Sequence, residues 1–119
     1  MGKKPAKVLW VILMKQTNNI QSMLNITDKE LFTILISETG GQTRMRIIDA
    51  LLNMPSNANQ LSKQLKLDYK TITYHLDIIC NHKYATRETF GKITFYYPSD
   101  KLIKRLDEYN QIKGKINNQ

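Results

Sequence analysis

Cysteine is nearly absent from this chain: Cys80 stands alone among 119 residues. One thiol cannot build a disulfide framework, which suggests a reducing compartment. Acidic residues are also scarce, with 10 Asp and Glu against 18 Lys and Arg, for a net charge of +8. That balance points to an anionic partner, nucleic acid first and a membrane surface second, with simple solubilising charge as the alternative. Long apolar runs are missing too. Val8–Met14, behind Lys3, Lys4 and Lys7, is only seven residues long, whereas a bilayer span needs about 20. Lys15-Gln16-Thr17-Asn18 follows it, with no small-residue cleavage site of the kind that ends a signal peptide. The expectation is a soluble, cytoplasmic protein with no membrane partner.

Signatures of catalysis are missing as well. Gly40-Gly41 is not followed by the Lys-Ser/Thr of a phosphate loop, and there is no His-Glu-x-x-His. Asp49, Asp68, Asp77 and Glu88 form no acid/base pair by spacing. The chain is expected to be no enzyme, to need no cofactor and to show no evident small-molecule ligand. His75, Cys80 and His82 look at first like soft-metal ligands. On a helix, however, Cys80 and His82 sit about 200° apart around the axis, so no metal site is expected. Cys80 is read as a small core hydrophobe.

What is present is patterned apolar sequence between turn signals. A hydrophobic content of 41% is enough for a small core. Periodicity leaves open whether Val8–Met14 is a strand or a buried helical turn. Ile20, Met23 and Leu24 suggest helix beyond the weak Thr17-Asn18-Asn19 patch. Thr27-Asp28-Lys29-Glu30 has capping-box spacing, with Thr27 as N-cap and Glu30 at N3. The helix that follows carries Leu31, Phe32, Leu35 and Ile36 and is expected to end at Gly40-Gly41. A second helix is expected over Gln42–Asn53, with Met45, Ile48 and Leu52 on one face and Pro55 as its stop. A third, over Asn57–Leu65, turns Leu61 and Leu65 inward. Lys66-Leu67-Asp68 then makes a tight connection, without the usual glycine, into the next helix.

That next helix, Asp68 to His82, reads as having two faces. Ile72, Leu76 and Ile79 recur at i, i+4 and i+7 as an apolar stripe. Asp68 stands where an N-cap belongs, able to accept from free backbone N–H groups. Tyr69, Lys70, Thr71, Thr73 and Tyr74 crowd the first turns, mostly off the stripe. Long donors and aromatic rings at a helix start suit entry into a DNA groove, and the alternative is an ordinary solvated face. Beyond it the period changes. Ala85–Thr89 is expected to form one strand and Ile93–Tyr97 a second, joined by a three-residue loop Phe90-Gly91-Lys92. Pro98-Ser99-Asp100 then caps a final helix that places Leu102, Leu106 and Tyr109 on one face.

Four helices, a hairpin and a helix is the order of a winged helix-turn-helix, a mainly α fold with a small β-hairpin wing and extra N- and C-terminal helices. The middle of the chain resembles the ArsR-like bacterial and archaeal transcription regulators. The resemblance is carried by Gln42-Thr-Arg-Met-Arg-Ile-Ile-Asp-Ala-Leu-Leu52, Ala58-Asn-Gln-Leu-Ser-Lys-Gln-Leu65, Thr71-Ile-Thr-Tyr-His-Leu76, Gly91-Lys92 and Phe95-Tyr96, and it covers residues 40–106. It implies a winged helix that binds double-stranded DNA as a homodimer to regulate transcription. Two departures stand out. Tyr74 replaces the family's usual Arg, and the Cys-x-Cys site of the metal-sensing members is absent, so metal sensing does not transfer.

The candidate DNA contacts are Tyr69, Lys70, Thr71, Thr73, Tyr74 and His75 on the recognition helix, with Lys70 foremost. His75 borders the DNA face in the resembling family, and a satisfied, half-buried histidine is an equal alternative. Arg87 and Lys92 are the wing candidates, with Lys63 and Lys66 as backbone contacts, each against the alternative of a solvent-exposed charge. The dimer is expected to use Trp10 and Leu13 in the N-terminal run together with Leu102, Leu106 and Tyr109, unless Trp10 and its neighbours only complete one subunit's core. In outline, residues 1–26 form an apolar arm, 27–98 the winged helix-turn-helix, and 99–119 a C-terminal helix and polar tail. A rival function is a winged-helix protein–protein or RNA-directed module in a larger assembly.

Overall fold

The computed structural model describes residues 27–117. The N-terminal run, with Trp10 and Leu13, lies outside the described residues. Helix α1 (Lys29–Ile36) is followed by α2 (Gly41–Asn53), a short strand β1 (Ser56–Asn57), α3 (Ala58–Leu65) and α4 (Tyr69–Asn81). Strands β2 (Ala85–Phe90) and β3 (Ile93–Pro98) come next, then α5 (Asp100–Ile103) and α6 (Leu106–Asn117). The chain divides into two compact units. One holds the described residues up to Gln42 and those from Arg105 on, and the other is Thr43–Lys104. These bounds differ from the three consecutive segments expected from the sequence.

In the first unit, α1 packs on α6. Leu31, Phe32, Leu35 and Ile36 are buried as their spacing requires, with Ile34 in addition, and α6 buries Tyr109, Ile112 and Ile116. The cap of α1 falls one residue later than its motif suggests. Asp28, not Thr27, is the N-cap, its carboxylate accepting from the Leu31 amide at 3.0 Å. Thr27 is drawn outward instead, its amide and hydroxyl donating to the Glu108 carboxylate. Asp28 also meets Arg105 at 2.7 Å. Helix α1 stops at Ile36, short of the glycines, with Ser37 as its C-cap.

In the second unit the core is built from Met45, Ile47, Ile48 and Leu51 of α2, Leu61 of α3, and Ile72, Leu76 and Ile79 of α4, joined by Tyr84 and Leu102. Leu51, rather than the expected Leu52, is the deeply buried residue in the last turns of α2. Helices α3 and α4 are joined by Lys66–Asp68, the tight connection read from the sequence.

The missing glycine of that connection has a replacement. Lys66 adopts a left-handed conformation (φ 58°), and the Leu67 amide reaches back to the Ser62 carbonyl at 3.1 Å. Helix α4 ends on a similar residue: Lys83 is left-handed (φ 70°), its amide bonds the Cys80 carbonyl at 2.9 Å, and the Tyr84 amide bonds Ile79 at 3.0 Å. The end of α4 makes both bonds of the Schellman pattern, whereas at α3 the Lys66 and Leu67 amides both reach the Ser62 carbonyl; each end has lysine where glycine is usual. A β-carbon in that conformation costs about 1–2 kcal/mol, part of which glycine would return through its freer unfolded chain. Lys66→Gly and Lys83→Gly are each expected to stabilise the protein by about 0.5–1 kcal/mol, seen as a raised urea midpoint at constant slope.

The sheet has the order β1-β3-β2. Strand β1, which the sequence did not announce, pairs antiparallel with β3 (Ser56↔Tyr96, Asn57↔Phe95). The hairpin register runs from Ala85↔Pro98 to Phe90↔Ile93, so its turn is the two residues Gly91-Lys92 and not the expected three. Gly91 has φ +64° while Lys92 does not take a positive φ, the pattern of a type II′ turn, which matches strand twist. Of the β3 residues only Tyr96 is buried, and Ile93 is 49% exposed. The expected final helix is two pieces. Ser99 caps α5 through the Leu102 amide at 3.2 Å, and α6 starts anew after Arg105. Leu102 and Leu106 therefore do not lie on one helix face.

Candidate nucleic-acid interface

Helix α4 separates its residues cleanly. Ile72, Leu76 and Ile79 have no exposed surface, while Tyr69 is 56% and Tyr74 62% exposed. Lys70 lies between them and is also exposed, and Thr71 and Thr73 are half-buried. Asp68 is the N-cap by position, but its carboxylate makes no bond to the helix backbone. It accepts instead from the Thr71 hydroxyl. The Thr73 hydroxyl likewise donates to the Lys70 carbonyl at 3.1 Å. Each threonine has one hydroxyl proton, and both are spent inside the helix. What they present outward is methyl groups and lone pairs.

His75 does not share that exposed face. It is 5% exposed, and Arg44 Nη1 on α2, itself 5% exposed, donates to its Nδ1 at 3.1 Å. An arginine can only donate, so Nδ1 carries the lone pair and the imidazole is neutral with its proton on Nε2. Burial lowers the His75 pKa from its ordinary value, and the Arg44 charge lowers it further. The Tyr74 ring closes the site edge-on at 5.0 Å. The histidine is therefore a buried tie between α2 and α4. Arg44 stood in the Thr-Arg opening noted in the sequence, but nothing local there gave it a role.

Arg87 is likewise committed. Its Nη2 donates to Asp77 on α4 at 3.3 Å, and its guanidinium lies 5.6 Å from the Tyr96 ring centroid. It joins β2 to the C-terminal half of α4. Cys80 is half-buried beneath it and not a deep core hydrophobe as expected. Burial pushes its thiol up, an effect that Arg87 partly offsets. A raised thiol pKa makes this a poor nucleophile. Among the described residues, no three His, Cys, Asp or Glu side chains gather as a metal site.

Lys92 is exposed at the wing tip, and Lys63 and Lys66 are exposed at the end of α3 and in the turn after it. Between the wing and the starts of α3 and α4 lies an open groove of about 330 Å³, lined by Asn57, Asn59, Tyr69, Lys92, Thr94 and Tyr96, with Ala58 and Ile93. Asn59 and Thr94 were not singled out in the sequence, because no local motif marks residues that meet only through the fold. Of the residues assigned to a dimer, Leu102 and Tyr109 are buried within their own chain, at 1% and 0% exposure, and Leu106 is half-buried. No helix of the described residues is long and apolar enough to cross a membrane.

Residues 41–81, from the start of α2 to the end of α4, match the family described as bacterial regulatory protein, arsR family. No curated protein matches the sequence. Among solved structures, the transcriptional regulator BldR from Sulfolobus solfataricus is similar over 88% of this chain and 78% of its own, with TM-score 0.60 and 18% identity. HlyU from Vibrio cholerae is similar over 86% of this chain and 97% of its own, with TM-score 0.55 and 18% identity. At such identity the likeness is one of fold. With its α3–turn–α4 unit, its hairpin and the match over 41–81, the chain carries an arsR-type helix-turn-helix within a winged-helix fold.

Proposed function

We propose that this protein is a sequence-specific regulator of transcription that binds double-stranded DNA as a homodimer. Helix α4 enters the major groove and the wing lies near the minor groove. The observation that carries this is the two-faced α4, with Tyr69, Lys70 and Tyr74 exposed opposite a fully buried stripe. The arsR match over 41–81 supports it. Lys70 is the principal reader of bases or phosphates. Thr71 and Thr73, their hydroxyl protons engaged, offer methyl groups to thymine. Lys63, Lys66 and Lys92 meet phosphates, which set affinity while base contacts set preference. Arg87 acts through α4, holding the wing in place.

The dimer is assigned to Trp10 and Leu13 with Leu106, since Leu102 and Tyr109 are already covered within their own chain. Two recognition helices would then face successive major grooves about 34 Å apart. The test is selection of bound fragments from random duplex DNA, followed by affinity against salt. A partly palindromic motif is expected. With Lys63, Lys66, Lys70 and Lys92 of each subunit assigned to the DNA, the log–log salt slope should be about −4 to −7, at roughly −0.9 per neutralised phosphate. Equal, weak affinity for every duplex would sink the proposal.

A further inference from the structure

The groove between the wing and the starts of α3 and α4 has a composition that the contacts assigned so far draw on only through Lys92 and the exposed start of α4. Three separate elements converge on it: Asn59 from α3, Tyr69 from α4, and Lys92 and Thr94 from the wing. They bring a carboxamide, a phenol, an ammonium and a hydroxyl, all able to donate, and no carboxylate lines the groove. The Thr94 hydroxyl lies 2.9 Å from that of Thr89. With Thr89 as donor, the Thr94 proton is left for a ligand. Of the donors at the start of α3, the Asn57 and Gln60 amides are taken up in a reciprocal capping box. The side chains, with the Ala58 and Asn59 amides beside them, are what the groove offers an anion.

An enclosed metabolite site is largely apolar and buries most of its ligand. This groove is open and polar, suited to a chain that passes through it. A duplex with α4 in its major groove and the wing at the adjacent minor groove has one sugar–phosphate strand between the two. That strand must cross the space between Tyr69 and Lys92. We infer that the groove seats a single phosphodiester of this strand, with Asn59 and Thr94 as positioning contacts beside Lys92 and Tyr69. The inference rests on the DNA-binding function proposed above and assigns it two further residues.

The experiment uses the full-length protein and its selected duplex. Asn59→Ala and Thr94→Val are each expected to weaken binding about threefold to tenfold, equally for all duplex sequences. Asn59→Asp, which sets a carboxylate against the phosphate, should lose more, and more still at low salt. Uncharged methylphosphonate linkages are then placed singly along the duplex. One position, between the major-groove and minor-groove contacts, should cost the wild-type protein affinity but cost Asn59→Ala less, since both changes remove one interaction. Unchanged binding by Asn59→Ala and Thr94→Val, or additive losses at every linkage, would overturn the inference while wild-type binding left the DNA-binding function standing. Failure of the wild-type protein to bind any duplex would overturn both.

Discussion

Replacing His75 with leucine is expected to destabilise the protein by about 2–3 kcal/mol, although leucine fills nearly the same space. The reason lies in what remains. Arg44 is 5% exposed and donates to His75 Nδ1 at 3.1 Å. Leucine removes that acceptor and leaves a guanidinium in a site with little water to replace it. Changing both residues, His75→Leu with Arg44→Met, should recover much of the loss, because no charge is then left short of an acceptor. The non-additivity of that cycle measures the pair, and additive losses would mean that the bond carries no stability of its own.

The same pair fixes a pH dependence. The folded-state pKa of His75 is lowered, by burial first and by Arg44 second, from an ordinary value of 6.5. Between the two values the unfolded chain binds more protons than the folded one. The stability carried by neutral His75 is therefore present in full above the ordinary value. It is lost as pH falls through that value towards the lowered one. Urea midpoints should fall over this window in the wild type, and this part of the fall should vanish in His75→Leu. An identical pH profile in both proteins would refute the assignment.

Replacing Lys70 with alanine is expected to weaken binding to the selected DNA by about 1–3 kcal/mol, roughly tenfold to a hundredfold. Stability should hardly change, since Lys70 is exposed on the outer face of α4. The pattern of the loss separates two roles. A base contact gives relaxed preference at one position of the site, whereas a phosphate contact gives an equal loss on all sequences and a salt slope shallower by about 0.9. The substitution should matter more here than in a relative with arginine at the position of Tyr74, because the phenol brings no charge to share the task. Wild-type affinity in Lys70→Ala would remove the helix start from the interface.

The helix-turn-helix was legible in the sequence because its signals are local. The Ile72, Leu76 and Ile79 stripe, the stop at Pro55 and the short span from Leu65 to Tyr69 each depend on neighbours within a few residues. What escaped depends on partners far along the chain. Thr27 and Asp28 are both credible caps, and only Glu108 decides between them. His75 lies one residue from the apolar stripe, and Arg44 draws it inside. Gly91 serves a two-residue or a three-residue turn equally well, and only the strand register tells which. Of the candidate site, Tyr69, Lys70, Tyr74 and Lys92 are exposed, but His75 and Arg87 turned out to be ties within the fold. The groove they overlook is assembled from three segments, none of which announces it alone.

The register of the wing also governs how this protein can vary in length. Arg87 opposes Tyr96 and reaches Asp77, and it does so because strand residues alternate between faces. One residue added to a single strand below the turn would either bulge or carry every side chain beyond it to the opposite face. Matched additions to both strands, outside the Arg87–Tyr96 pair, leave that anchor in place and advance the tip by about 3.4 Å each. The hairpin is in this sense a caliper with discrete settings. Over evolutionary time the reach of its tip can change only in steps, while its anchor against α4 stays where it is.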